Sequence, residues 1–180
     1  METATKTTWN IDPTHSEIQF KIKHLVISTV TGHFRDFEGT VETEGDDFTT
    51  AEMAFSANTA SVDTNNEQRD GHLQSGEFFD SAQYPTMTFK STSVQSKGND
   101  NYVILGDLTI KDKTNPVELK AEHGGYMTDF YGNYKAGFEV TGKINRKDFG
   151  LVWNGVTEAG GIVVSDEVKL EFNIQVAKQA

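Results

Sequence analysis

This sequence has no cysteine, three prolines and only three arginines, and each shortage removes something. Without cysteine there is no disulfide, no thiolate metal ligand and no cysteine nucleophile. Arginine is confined to Arg35, Arg69 and Arg146, and the formal net charge is −11. Nucleic acid and anionic membrane surfaces are therefore unsuited as main partners. No apolar run approaches the ~18 residues of a membrane-spanning helix, so stable membrane insertion is not expected. The opening stretch Met1-Glu2-Thr3-Ala4-Thr5-Lys6-Thr7-Thr8 lacks the apolar core of a signal peptide. A cytoplasmic location follows as the expectation, with a periplasmic or secreted protein, its signal peptide already removed, as the alternative. Nucleophile elbow, P-loop, dinucleotide fingerprint and triad spacings are all missing, so no enzyme activity is expected.

What is present is alternation. Ile18-Gln19-Phe20-Lys21-Ile22-Lys23-His24 and Val168-Lys169-Leu170-Glu171-Phe172-Asn173-Ile174-Gln175-Val176 each interleave apolar and polar residues without a break. Side chains on a strand alternate between faces, so each segment has one apolar and one wet face. Two such segments near opposite ends of one chain predict that first and last strands pair and close a barrel, which removes exposed edges. Twelve phenylalanines fit a core held by aromatic packing.

Further strand signals lie at Val30–Val41, Ala51–Ala57, Met87–Phe89, Tyr102–Ile110, Val117–Ala121 and Ala136–Ile144. Within Val30–Val41, Phe34 and Phe37 have opposite parity, which predicts a bulge near Arg35-Asp36. Asn115-Pro116 is expected to open the Val117 strand. Lys97-Gly98-Asn99-Asp100-Asn101 and Tyr131-Gly132-Asn133 read as hairpin turns. The fold class is all-β: an extended antiparallel barrel of about eight strands, with a short helical insertion near residues 64–82. Thr64 with Glu67 predicts the helix start as a capping box, and Ser75 begins a second helical turn carrying Phe78 and Phe79. Such an insertion is either a lid over one barrel mouth or a plug completing the core. Residues 1–7 read as a flexible segment and 8–177 as a single domain.

Parity assigns an inward set of Ile18, Phe20, Ile22, Phe34, Met53, Phe55, Met87, Phe89, Ile104, Leu108, Phe138, Leu170 and Phe172. These residues line a hollow lumen or fill a solid core, and pattern alone leaves both open. The histidines show no metal-ligand spacing, and His15 and His24 have opposite parity on one strand. His24 continues the inward face. Arg69 and Arg146 suit an anionic head group, or else pair locally with Asp70 and Asp148.

In order along the chain come Trp9-x-Ile11-Asp12-Pro13-x-His15-Ser16, Gly32-x-Phe34-x-x-Phe37-x-Gly39, Arg69-Asp70-x-His72-Leu73-x-Ser75-x-x-Phe78-Phe79-Asp80, Tyr84-Pro85-x-Met87-x-Phe89, Arg146-x-Asp148-Phe149-Gly150-Leu151 and Asp166-Glu167-Val168-x-Leu170. Together they resemble the YceI-like polyisoprenoid-binding proteins across essentially the whole chain. The resemblance implies a lipocalin-like barrel that binds, stores or transports a long apolar lipid, a polyisoprenoid or isoprenoid quinone, commonly as a homodimer and without catalysis or another cofactor. It implies lumen contacts from the inward set and Phe79, with His24, Arg69 and Arg146 as head-group candidates. The charged Lys111-Asp112-Lys113-Thr114-Asn115 connection departs from the family pattern. A binder of fatty acids or fatty amides, and a stress-related structural or interaction module, remain as alternative functions.

Overall fold

A computed structural model describes residues 5–24, 28–151 and 164–179, with only the backbone of His24. Its strands are β1 (Lys6–Ile11), β2 (Glu17–His24), β3 (Ser28–Phe34), β4 (Phe37–Glu44), β5 (Asp47–Asn58), β6 (Val62–Asp63), β7 (Thr86–Gly98), β8 (Asn101–Ile110), β9 (Lys113–Thr128), β10 (Tyr134–Asn145) and β11 (Val164–Lys178). One helix, α1 (Glu67–Gln74), lies between β6 and β7. Eight strands close the ring in the order β1-β4-β5-β7-β8-β9-β10-β11 and back to β1. All pairings are antiparallel, so the closed barrel expected from alternation, and the lipocalin-like form that the resemblance implies, is the observed fold.

Closure rests on β11, which serves two partners along one edge. Ile11 pairs with Val176 near its C-terminal end, and Ile18 with Phe172 farther back. Thus β1 and β2 act as one strand interrupted by Asp12–Ser16. The interruption is fastened on the outer surface: buried Lys135 donates to Asp12 at 2.5 Å and pairs with Asp129 at 3.4 Å. Burial alone would raise the Asp12 pKa, but bonds with Lys135, Thr14 and His15 outweigh it and hold that carboxyl far below its usual range. His15 therefore belongs to this junction rather than to a strand, with Nδ1 2.8 Å from Asp12 Oδ2.

Several expectations are corrected. The parity change at Arg35-Asp36 is a break between β3 and β4 rather than a bulge. A bulge keeps the same neighbours on both sides, whereas β3 lies between β2 and β6, and β4 between β1 and β5. The freed backbone groups bond across the gap, Arg35 N to Ser61 O and Asn58 N to Asp36 O. The sheet also begins before residue 8, because Lys6 and Thr7 already pair with Glu44 and Thr43. Pro116 lies inside β9, which opens at Lys113. It is tolerated because the β9–β10 ladder ends at Leu119, leaving only β8 beside it.

The helix is capped by Asn66, whose side chain accepts from Arg69 N, and not by Thr64. Thr64 is instead buried, donating its amide and hydroxyl to Asp70 and accepting from Arg69 Nε at 2.7 Å. Ser75 is the C-cap of α1 and opens a hydrogen-bonded turn, with Phe78 N donating to Ser75 O at 3.0 Å, rather than a second helix. The chain turns there, with Phe79 N bonded to Leu73 O, and drives Phe78 and Phe79 into the core.

Candidate functional site: an apolar lumen

The barrel is hollow. A cavity of about 590 Å³ runs along its axis. All thirteen lumen candidates named from parity and resemblance border it: Phe20, Ile22, Phe34, Met53, Phe55, Phe79, Met87, Phe89, Ile104, Leu108, Phe138, Leu170 and Phe172. Ile18 joins them. Their convergence follows from register. Phe20 lies opposite Leu170 across β2–β11, and Phe55 opposite Phe89 across β5–β7, so the alternating inner faces meet around one axis.

Two glycines explain how a lumen so rich in aromatic rings stays open. Gly32 sits opposite Phe20, and a Cβ there would fall 2.2 Å from the ring. A Cβ on Gly106 would fall 2.4 Å from the Phe89 ring. Each ring therefore lies flat over a neighbouring strand's bare backbone instead of projecting to the axis.

One end of the cavity is sealed by aromatic packing. Phe48 and Phe138 border the cavity there, with ring centroids 4.9 Å apart and edge to face. Behind them, fully buried Trp9 lies 5.2 Å from Phe48, and its indole donates to Thr43 Oγ1 at 3.0 Å. His123 stacks on Phe138 at 4.9 Å, and Tyr126 stacks on Tyr134 at 5.3 Å. Such rings contribute packing beyond simple area burial.

Polar groups gather at the opposite end, where Asn66, Gln68, Arg69 and His72 of the insertion and Arg146 reach the cavity. Arg69 is anchored by donating to Thr64 Oγ1 and to Thr64 O at 2.8 Å. It does not form the expected pair with Asp70; both converge on Thr64. Arg146 is buried and donates to the carbonyls of Ser165 at 2.8 Å and Leu151 at 2.6 Å, with Asp166 3.6 Å away. Burial lowers its pKa, while the Asp166 charge opposes that shift. Its pairing partner is thus Asp166 and the local backbone, not Asp148. The side chain of His24 lies outside the described residues. His33 bonds Gln19 at 3.1 Å and His72 bonds Glu77. Among the described residues no three His, Asp or Glu side chains group to hold a metal ion.

Among the lining residues that sequence reasoning missed are Val94, Tyr102 and Phe48. Tyr102 shares the parity of Ile104 and Leu108 and was legible. Val94 was not, because the β7–β8 register shifts between Ser91 and Ser93 and reverses the parity set by Met87 and Phe89. Phe48 is hidden in the same way by the shift between Glu42 and Glu44 on β4–β5.

Comparison with known proteins agrees with this geometry. A UPF0312 protein of Staphylococcus epidermidis is 38% identical over 170 residues, covering 94% of this chain and 96% of the relative. A UPF0312 protein of Staphylococcus aureus is also 38% identical over the same span. Burkholderia cenocepacia BcnA superposes with a TM-score of 0.80 at 21% identity, over 92% of this chain and 98% of its own. The Campylobacter jejuni YCEI protein gives 0.75 at 31% identity, over 88% and 90%. A polyisoprenoid binding domain from Saccharophagus degradans gives 0.66 at 16%, over 95% and 98%. The YceI-like domain model matches residues 9–176, and the chain belongs to the YceI-like family.

Proposed function

We propose that this protein carries or stores one long apolar lipid, a polyisoprenoid or isoprenoid quinone, within its barrel. The hollow, almost wholly apolar lumen of about 590 Å³ carries this reading, since filled barrels have no use for such a space. The polyisoprenoid-binding description of the Saccharophagus degradans domain supports the choice of lipid. Affinity would come from area removed from water. At roughly 0.8 kcal/mol per buried CH₂, ten such groups supply about 8 kcal/mol before the cost of ordering them.

The test pairs an organic extract of the purified protein, analysed by mass spectrometry, with a narrowing variant. Met53→Trp places an indole in the lumen where Met53 now borders it. The expected outcome is a stoichiometric isoprenoid in the parent and little in Met53→Trp, with thermal stability retained. An empty parent, together with about 1–3 kcal/mol of destabilisation in Met53→Trp, would mean an overpacked core and overturn the carrier. A fatty acid or fatty amide in the extract would keep the carrier and replace its cargo.

A further inference from the structure

The lumen has a blind end, and that gives it a length. We propose that Phe48 and Phe138 form a stop that fixes how much of a lipid chain the barrel buries, at about four to five isoprene units. This rests on the carrier reading above and adds a specificity to it. An apolar protein cavity of about 150 Å³ holds one benzene, so a lumen of about 590 Å³ takes about four such volumes, roughly two dozen carbons.

The stop is built to resist displacement. The edge-to-face Phe48–Phe138 pair closes the cavity, and each ring is braced from behind. Trp9 backs Phe48 and is itself fixed by its bond to Thr43, whose hydroxyl donates onward to Gly45 O at 2.6 Å. His123 backs Phe138 through a stacked contact. Trp9 and Ala136, which belong to the same cluster and do not border the cavity, are almost completely buried, so the rings have no free volume to retreat into. Polar side chains lie at the other end, at Asn66, Gln68 and Arg69. A lipid with a polar head therefore lies with its head there and its tail tip against the stop. Chain beyond the capacity remains outside and adds nothing to affinity.

The experiment is a binding series of prenyl alcohols (geraniol, farnesol, geranylgeraniol, geranylfarnesol and solanesol) on full-length protein stripped of lipid. Affinity should climb at least ~10-fold per added isoprene unit up to geranylgeraniol, then flatten, with geranylfarnesol and solanesol within about threefold. Phe48→Ala should move that flattening outward by about one unit, so that geranylfarnesol gains roughly tenfold over geranylgeraniol. Leu73→Ala, which enlarges the cavity at the insertion end, should leave the flattening where it is. If Phe48→Ala does not fold, Phe138→Leu replaces it with the same expected shift. Affinity that keeps rising to solanesol in the parent, an unmoved flattening in the folded stop variant, or an equal shift in Leu73→Ala overturns the stop while leaving the carrier standing. A parent that binds none of the alcohols fails the carrier as well.

Discussion

The two ends of this barrel share the same alternating walls and are finished by opposite physics. The closed end is long-range apolar packing: Trp9 from β1, Phe48 from β5, Ala136 from β10 and Val176 from β11 meet in one cluster. The far end is local polar bonding: Asn66, Arg69 and Asp70 organise the insertion around Thr64, and Arg146 ties its own loop to Leu151 and Ser165. Packing that draws on four strands is costly to disturb, whereas a bond between near neighbours is worth about 1 kcal/mol. A tube with one rigid end and one polar end is directional, and direction is what a lipid with a head and a tail requires.

The strongest way to break this comparison is at the closed end. Trp9→Ala removes the largest fully buried side chain among the described residues and leaves a cavity beneath Phe48. The expected loss is about 3–5 kcal/mol, read from the denaturant midpoint. A loss under about 1 kcal/mol would mean that the rings there re-pack freely and that the closed end is no more rigid than the other.

A second effect lies at the joint between the ends, where Asp12–Ser16 interrupts the strand formed by β1 and β2. The Asp12 carboxyl is ionised in the fold far below its usual range, because its bonds with Lys135, Thr14 and His15 together outweigh the penalty of burial. Lowered folded-state pKa means stability that is present above the unfolded value of about 3.9 and lost as pH falls below it. In Asp12→Asn that contribution is gone at every pH. The stability gap between parent and variant should be on the order of 2 kcal/mol above about pH 5 and shrink progressively below about pH 4. Urea titrations across that range check it. A gap independent of pH would show that the joint is held by shape alone.

The contrast between the ends also marks how much was readable beforehand. The barrel, its closure by first and last strands, and every lining candidate except Phe79 followed from a period of two, because one pleat serves every strand; Phe79 lies on the insertion and came with the resemblance. The closed end did not follow. Phe48 and Val94 lie beyond register shifts that reverse parity, and no single-strand pattern shows a shift imposed by its partner. Trp9 stood in the sequence signature without any hint that it backs Phe48, since that contact spans 39 positions and depends on closure. At the polar end the sequence pattern shows the insertion but not which residue caps its helix. Thr64 and Asn66 are both good capping residues, and the choice was made by the burial of Thr64 between Arg69 and Asp70.

The smallest expected effect belongs to Arg69, and it sharpens the comparison most finely. Arg69 reaches the lumen and is partly exposed, and its guanidinium is already engaged with the Thr64 hydroxyl and carbonyl. Arg69→Ala should cost about 1 kcal/mol of stability through those two bonds. Its effect on lipid binding should stay within roughly tenfold, because ten buried methylenes outweigh one hydrogen bond by several kcal/mol. Thermal melts and the lipid content of the purified variant measure the two quantities separately. If Arg69→Ala emptied the barrel while keeping its melting temperature, recognition would reside in the head group, and the polar end rather than the apolar tube would select the cargo.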